Sequence, residues 1–247
     1  MKKLDKPHTE LIVALDFPDV TTAGKLVSEL RGLPVTYKVG FELFVSSGPE
    51  FVRRLIGGGS KVFLDLKFYD IPNTVAKAAQ AIAQLNVDMF TVHLSGGKKM
   101  IATTAETLAV GAAQKGTKRP KILGVSVLTS FDDPAWGEVT HALTGTDVAV
   151  SWSVSGLVSE ATGWGVDGIV CSAQELSVVK RIAPKLYTVV PGIRPKGSPA
   201  GDQARVMTPE EAHEIGADAV VIGRPITAAS NPKEVTEAVL ESLGHTS

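Results

Sequence analysis

Eight short apolar runs rich in β-branched residues recur along the chain: LIVAL (11–15), VTYKV (35–39), KVFLDL (61–66), DMFTVHL (88–94), KILGVSVL (121–128), GIVC (168–171), YTVV (187–190) and AVVIG (219–223). Between them lie stretches with Ala, Leu and Val at three- and four-residue spacing, which predict helices over Val20–Arg31, Asn73–Leu85, Lys98–Gln114, Val148–Thr162, Ala173–Ala183 and Pro209–Ile215. Continuous apolar strands alternating with helices call for a parallel sheet covered by helices. The chain has 247 residues. Eight βα units in that length fit a closed (β/α)8 barrel, the TIM-barrel class of α/β fold, better than an open doubly wound sheet. No linker-like break interrupts the alternation, so the reading is a single domain over residues 1–247, with 1–9 as an N-terminal tail.

A weak internal echo points the same way. NVDMFTVH, GVDGIVC and GADAVVIG each set a turn residue, an apolar residue and Asp directly before an apolar strand, which reads as one helix-to-strand turn used three times. Charge is balanced, 25 Lys+Arg against 26 Asp+Glu for a formal net of −1. That argues against a nucleic-acid binder. The run after MKKLDKPHTE is too short for a signal sequence or a membrane span, and the lone cysteine, Cys171, excludes an intrachain disulfide. A reducing, cytoplasmic setting without a membrane partner is expected. Cys171 reads as a small buried apolar group, and Trp136, Trp152 and Trp164 as core or interface packing.

Barrel chemistry sits at the C-terminal ends of the strands. Polar residues collect there: Asp16 after the first run, Lys38 in the second, Asp65 and Lys67 at the third, His93 at the fourth, Thr129 and Ser130 after the fifth, and Gly223 and Arg224 after the eighth. Strand alternation puts Phe63, Asp65 and Lys67 on one face and Val62, Leu64 and Leu66 on the other. An isolated Asp-x-Lys aimed into a barrel is compatible with a buried salt bridge that sets register. With Lys38 on a neighbouring strand and Asp70 just beyond, an alternating Lys–Asp–Lys–Asp array is expected, and so many inward charges favour a chemical role. Pro72 suits a helix start, with Asn73 or Thr74 as its cap, and Asp132 or Asp133 can cap the helix after Ser130. The loop from Pro191 to Met207 is long and rich in Gly and Pro, the character of a binding loop or lid.

The segment Asp65-Leu66-Lys67-Phe68-Tyr69-Asp70-Ile71-Pro72-Asn73-Thr74 resembles the DxKxxDIPNT signature of the orotidine 5′-phosphate decarboxylases. The likeness continues through Leu15-Asp16, Tyr37-Lys38-Val39-Gly40, Leu128-Thr129-Ser130, Pro191-Gly192-Ile193-Arg194-Pro195, Asp202-Gln203-Ala204-Arg205 and Ile222-Gly223-Arg224-Pro225. What this resemblance implies is conversion of orotidine 5′-monophosphate to uridine 5′-monophosphate and CO2 with neither cofactor nor metal. It implies catalytic roles for Lys67, Asp65, Asp70 and Lys38. It implies substrate contacts from Asp16, Lys38, Ile71, Thr74, Thr129, Ser130, Pro191, Arg194, Gln203, Gly223 and Arg224, with Gln203 bridging phosphate and pyrimidine. It further implies a homodimer in which Asp70 and Thr74 reach the neighbouring site. For His93 a structural role, hydrogen-bonded near the site, is expected. Two other readings compete: a metal-dependent sugar-phosphate enzyme using Asp-x-Lys on a related barrel, and a catalytically silent phosphate binder.

Overall fold

The computed structural model describes residues 8–196 and 207–245. Eight parallel strands close into a barrel in chain order: β1 (Glu10–Ala14), β2 (Val35–Val39), β3 (Lys61–Phe68), β4 (Met89–His93), β5 (Lys121–Val125), β6 (Gly168–Val170), β7 (Tyr187–Val190) and β8 (Ala219–Ile222), with β8 paired back onto β1. Each expected apolar run overlaps one strand, with β1 starting one residue earlier and β3 running two residues further than expected.

The helices are α1 (Val20–Glu29), α2 (Phe41–Ser47), α3 (Pro49–Gly57), α4 (Pro72–Ala83), α5 (Gly97–Lys115), α6 (Asp133–Thr144), α7 (Val150–Ala161), α8 (Leu176–Ile182), α9 (Pro209–Ile215), α10 (Arg224–Thr227) and α11 (Pro232–Ser242). Periodicity located α1, α4, α5, α7, α8 and α9 to within a few residues. It passed over α2 and α3, which Gly48-Pro49 cuts into two short pieces, and also α6 and α11. Pro72 does open α4, but the residue before the helix is Ile71 and no side chain caps it, so neither Asn73 nor Thr74 has that role. Pro72 itself brings no N–H that needs an acceptor, which lowers the demand for a cap. Asp132 does cap α6, accepting from the Ala135 N–H, while its neighbour Asp133 accepts from the N–H of Val150 and ties α6 to α7.

Alternation along the strands builds two apolar layers. Leu11, Val13, Val62 and Leu64 point outward into the helices, while Ile12, Ala14, Phe63, Met89, Leu123 and Val189 fill the barrel interior. The repeated Asp now has a physical explanation. Asp88, Asp167 and Asp218 each accept the first free N–H of the preceding strand, from Val62, Ile122 and Thr188 at 2.8, 2.7 and 2.7 Å. Each carboxylate therefore stitches the start of an even-numbered strand to its odd-numbered neighbour and satisfies a donor that the parallel ladder leaves open. At the same end of the barrel Glu10 closes the floor, accepting from Thr36 and from the Tyr187 hydroxyl. Burial would raise the Glu10 pKa, but these hydrogen bonds and the nearby Lys61 and Lys121 ammonium groups outweigh it and hold the carboxyl below its ordinary value. No helix among the described residues is long and apolar enough to cross a membrane.

Candidate active site

At the opposite, C-terminal end, β3 departs from regular geometry. Leu64 pairs with Phe90, yet the next pair is Phe68 with Val92, so β3 spends four residues where β4 spends two. Lys67 sits in this bulge with a φ of +44°. That left-handed conformation is uncommon for a residue with a Cβ and persists only where the surroundings hold it. Thr91, wholly buried in β4, is the clamp: its hydroxyl accepts the Lys67 N–H at 2.8 Å and donates to Asp65 Oδ1 at 2.9 Å. Asp65 and Lys67 do meet, as alternation predicted, but through the bulge; the Lys67 ammonium lies 3.0 Å from both Asp65 oxygens. Thr91 was not among the expected site residues. The available signal was a hydroxyl inside the apolar run DMFTVHL, on the strand next to the charged one.

The charges form a chain. Lys38 Nζ stands 3.8 Å from Asp65 Oδ2 and 2.9 Å from Asp16 Oδ1. The order along the mouth is therefore Asp16, Lys38, Asp65, Lys67, and the first of these replaces Asp70 in the expected array. The Lys38 and Asp65 side chains are only 11% and 14% exposed, so each needs the other to offset its lost hydration. Gly40 makes room for them: a Cβ there would lie 3.0 Å from Lys38 Nζ and 3.3 Å from Asp16 Oδ1. The ring of Phe41 adds an apolar wall, its centroid 5.7 Å from Lys67 Nζ. Asp70 is exposed and accepts the N–H of Ile71, pairing with neither lysine in this single chain.

Two cations come together beside this chain of charges. Arg194, after β7, is buried, and its pKa is lowered by burial and by the charge of Arg224, which follows Gly223 at the end of β8. Like charges brought together in this way make an anion-attracting corner. Gly223 stands beside Asp16, where a Cβ would be 4.0 Å from Asp16 Oδ2, so this corner adjoins the charge chain.

The family whose sequence model matches residues 9–239 is described as "Orotidine 5'-phosphate decarboxylase / HUMPS family". The chain belongs to this family. It is 44% identical over 234 residues to the orotidine 5′-phosphate decarboxylase of Alcanivorax borkumensis, covering 94% of this chain and 97% of that protein. The orotidine 5′-phosphate decarboxylase of Vibrio vulnificus is 45% identical over 235 residues, 95% of this chain and 97% of the relative. Among solved structures, the orotidine 5′-phosphate decarboxylase of Lactobacillus acidophilus superposes with a TM-score of 0.82 at 37% identity, covering 95% of this chain and 99% of that one.

The remaining residues of the family resemblance fall as follows. Thr129 and Ser130 follow β5, which ends at Val125, in a turn joined by the Phe131 N–H to the Leu128 carbonyl, Thr129 half-buried and Ser130 exposed. Ile71 and Thr74 are exposed at the start of α4, and Pro191 is half-buried at the end of β7. Gln203 and the middle of the Pro191–Met207 loop, residues 197–206, lie outside the described residues.

His93 makes no side-chain hydrogen bond among the described residues, against expectation; its ring instead rests 5.9 Å from that of Tyr69. Burial and the Lys67 charge lower its pKa, only partly opposed by Asp65, so the imidazole is neutral at neutral pH. Cys171 is buried and its thiol pKa is pushed up to about 12, mainly by burial, which fits packing and disfavours a nucleophile. Trp136 packs edge-on against Phe131 and donates to Ser153, whereas Trp152 is exposed.

Proposed function

We propose that this chain decarboxylates orotidine 5′-monophosphate to uridine 5′-monophosphate and CO2, the activity named for its relatives, and that Lys67 is the residue at the reacting carbon. The observation that carries the reading is the Lys67 ammonium, held in a strained backbone conformation at the open end of a chain of four alternating charges. Loss of CO2 from C6 leaves an sp2 carbanion whose charge the adjacent ring does not absorb by resonance. A cation fixed beforehand at that point stabilises the developing charge without reorganising solvent. The same ammonium then delivers a proton to C6, forming the C–H bond as the electron pair left by CO2 takes it up. Asp65, gripping Lys67 through both oxygens, holds that ammonium in place and sets a negative charge beside the departing carboxylate. Lys38 and Asp16 offer a donor and an acceptor to the ribose hydroxyls, and Arg194 with Gly223 and Arg224 receives the 5′-phosphate. Thr129, Ser130, Ile71, Pro191 and Gln203 complete the substrate contacts in this reading.

We also propose a homodimer of single-domain chains working in the cytoplasm. Asp70 and Thr74 are exposed in one chain, and so are Tyr69 and Ile71 beside Asp70 in sequence and Phe41 and Val45 on α2, all four more than half exposed. Apolar side chains at a site mouth mark a surface that another molecule covers. A second copy would bury them and bring Asp70 to its neighbour's charges.

The test is direct. Purified protein mixed with orotidine 5′-monophosphate should lose the substrate absorbance and release one CO2 per uridine 5′-monophosphate, and EDTA should leave the rate unchanged. Abolition by EDTA with recovery on adding a divalent cation would instead favour the metal-dependent sugar-phosphate reading. Binding without turnover would favour the silent phosphate binder.

A further inference from the structure

A groove of about 740 Å³ opens at the barrel end opposite the charge chain, between α1, α3 and the starts of β1, β2 and β3. None of the residues assigned to the decarboxylation site lines it. Three exposed cations, Arg31, Arg54 and Lys61, line it against a single carboxylate, Glu10, which is already engaged by Thr36, Tyr187 and Lys61. Neither Arg31 nor Arg54 pairs with a carboxylate among the described residues; Arg54 lies over the ring of Phe51 with its guanidinium carbon 5.2 Å from the centroid. The walls between these charges are apolar, from Val27, Leu30, Leu33 and Leu55.

Tyr37 supplies the second observation. It points outward from β2 into this groove, is 3% exposed, and its hydroxyl has no hydrogen-bond partner among the described residues. The ring is buried while the hydroxyl opens to the groove, where it can donate to a ligand atom. Burial alone pushes its pKa up to about 12, so it stands as a neutral donor.

We propose that this groove is a second ligand site, separate from the decarboxylation site, that takes a small phosphate ester of mononucleotide size. Its volume lies within the ordinary range for small-molecule sites, about 300–1,000 Å³. Arginine forks suit phosphate oxygens, the apolar walls suit a ring, and the Tyr37 hydroxyl donates to an acceptor on the ligand.

Isothermal titration of the full chain with adenosine 5′-monophosphate, with adenosine as the uncharged comparison, tests it. The expected result is saturable binding of the monophosphate but not of adenosine, weakened about tenfold or more by Arg54→Gln or Tyr37→Phe and unaffected by Arg224→Ala, which alters the other site. Tyr37→Phe should melt at the wild-type temperature and keep wild-type decarboxylation, because its hydroxyl has no protein partner to lose. The proposal is overturned by absence of saturable binding up to about 10 mM, by equal binding of adenosine, or by binding lost in Arg224→Ala but kept in Arg54→Gln.

Discussion

Replacing Thr91 by Val removes one oxygen atom and leaves the side chain nearly the same shape. The structure says what that oxygen does: it accepts the backbone N–H that Lys67 presents from its left-handed conformation, and it donates to Asp65 Oδ1. Leaving a sequestered N–H without an acceptor costs about 1–3 kcal/mol, and losing a hydrogen bond to a carboxylate costs about 1.5–3 kcal/mol. Because the mouth is open and water can reach part of it, the lower half of the sum applies, about 2.5–4 kcal/mol. In a chain of this size that is a fall in Tm of about 5–16 °C. The bulge should relax at the same time and carry the Lys67 ammonium away from its position, and a displacement of about 1 Å at a reacting group lowers turnover by about 100-fold. Circular dichroism melting gives the first number and loss of orotidine 5′-monophosphate absorbance the second, with kcat falling and KM little changed because the phosphate contacts lie elsewhere. Thr91→Ser, which keeps the hydroxyl, should recover most of both. If Thr91→Val melts and turns over like wild type, Thr91 does not hold the bulge and the account of β3 is wrong.

Three further outcomes follow from particular groups. The His93 ring should titrate by NMR below its ordinary 6.5, and Lys67→Ala should move it back up by removing a nearby positive charge; an unmoved pKa would place Lys67 elsewhere. Its depressed pKa means the unfolded chain binds the proton first as pH falls, so the His93 contribution to stability is present above pH 6.5 and is lost below it. Cys171, buried with its pKa near 12, should resist iodoacetamide in the folded protein and react only on unfolding; rapid labelling of native protein would contradict its burial. Mixing inactive Lys67→Ala with inactive Asp70→Ala under conditions that exchange subunits should restore about one quarter of wild-type activity, since random pairing leaves one intact site in half of the dimers. A mixture that stays inactive would rule out shared sites.

The barrel was legible because each strand is a continuous apolar run and the alternation of faces is a strict period of two. The Asp65–Lys67 pair was legible for the same reason, although its actual geometry was not. A bulge depends on how β3 registers against β4, and nothing within KVFLDLKF announces that the backbone at Lys67 turns to positive φ. Thr91 stayed hidden because its value lies in two hydrogen bonds across strands, contacts that a reading of one strand at a time does not contain. Asp16 was seen as a strand-end residue but not as the partner of Lys38, since only closure of β1 against β2 brings them within 2.9 Å. The helices α2 and α3 escaped for a local reason: Gly48, at φ +61°, and Pro49 cut the stretch between β2 and β3 into two pieces with no shared periodic signal.

The central claim is that the Lys67 ammonium performs the chemistry. The most direct measurement compares wild type with Lys67→Ala by the loss of orotidine 5′-monophosphate absorbance, after circular dichroism shows that both are folded. Loss of both the charge stabilisation and the proton donor predicts a fall in kcat of at least about 10,000-fold. A Lys67→Ala protein that turns over within about tenfold of wild type would contradict the account, because a single positioned proton donor alone is worth more than that.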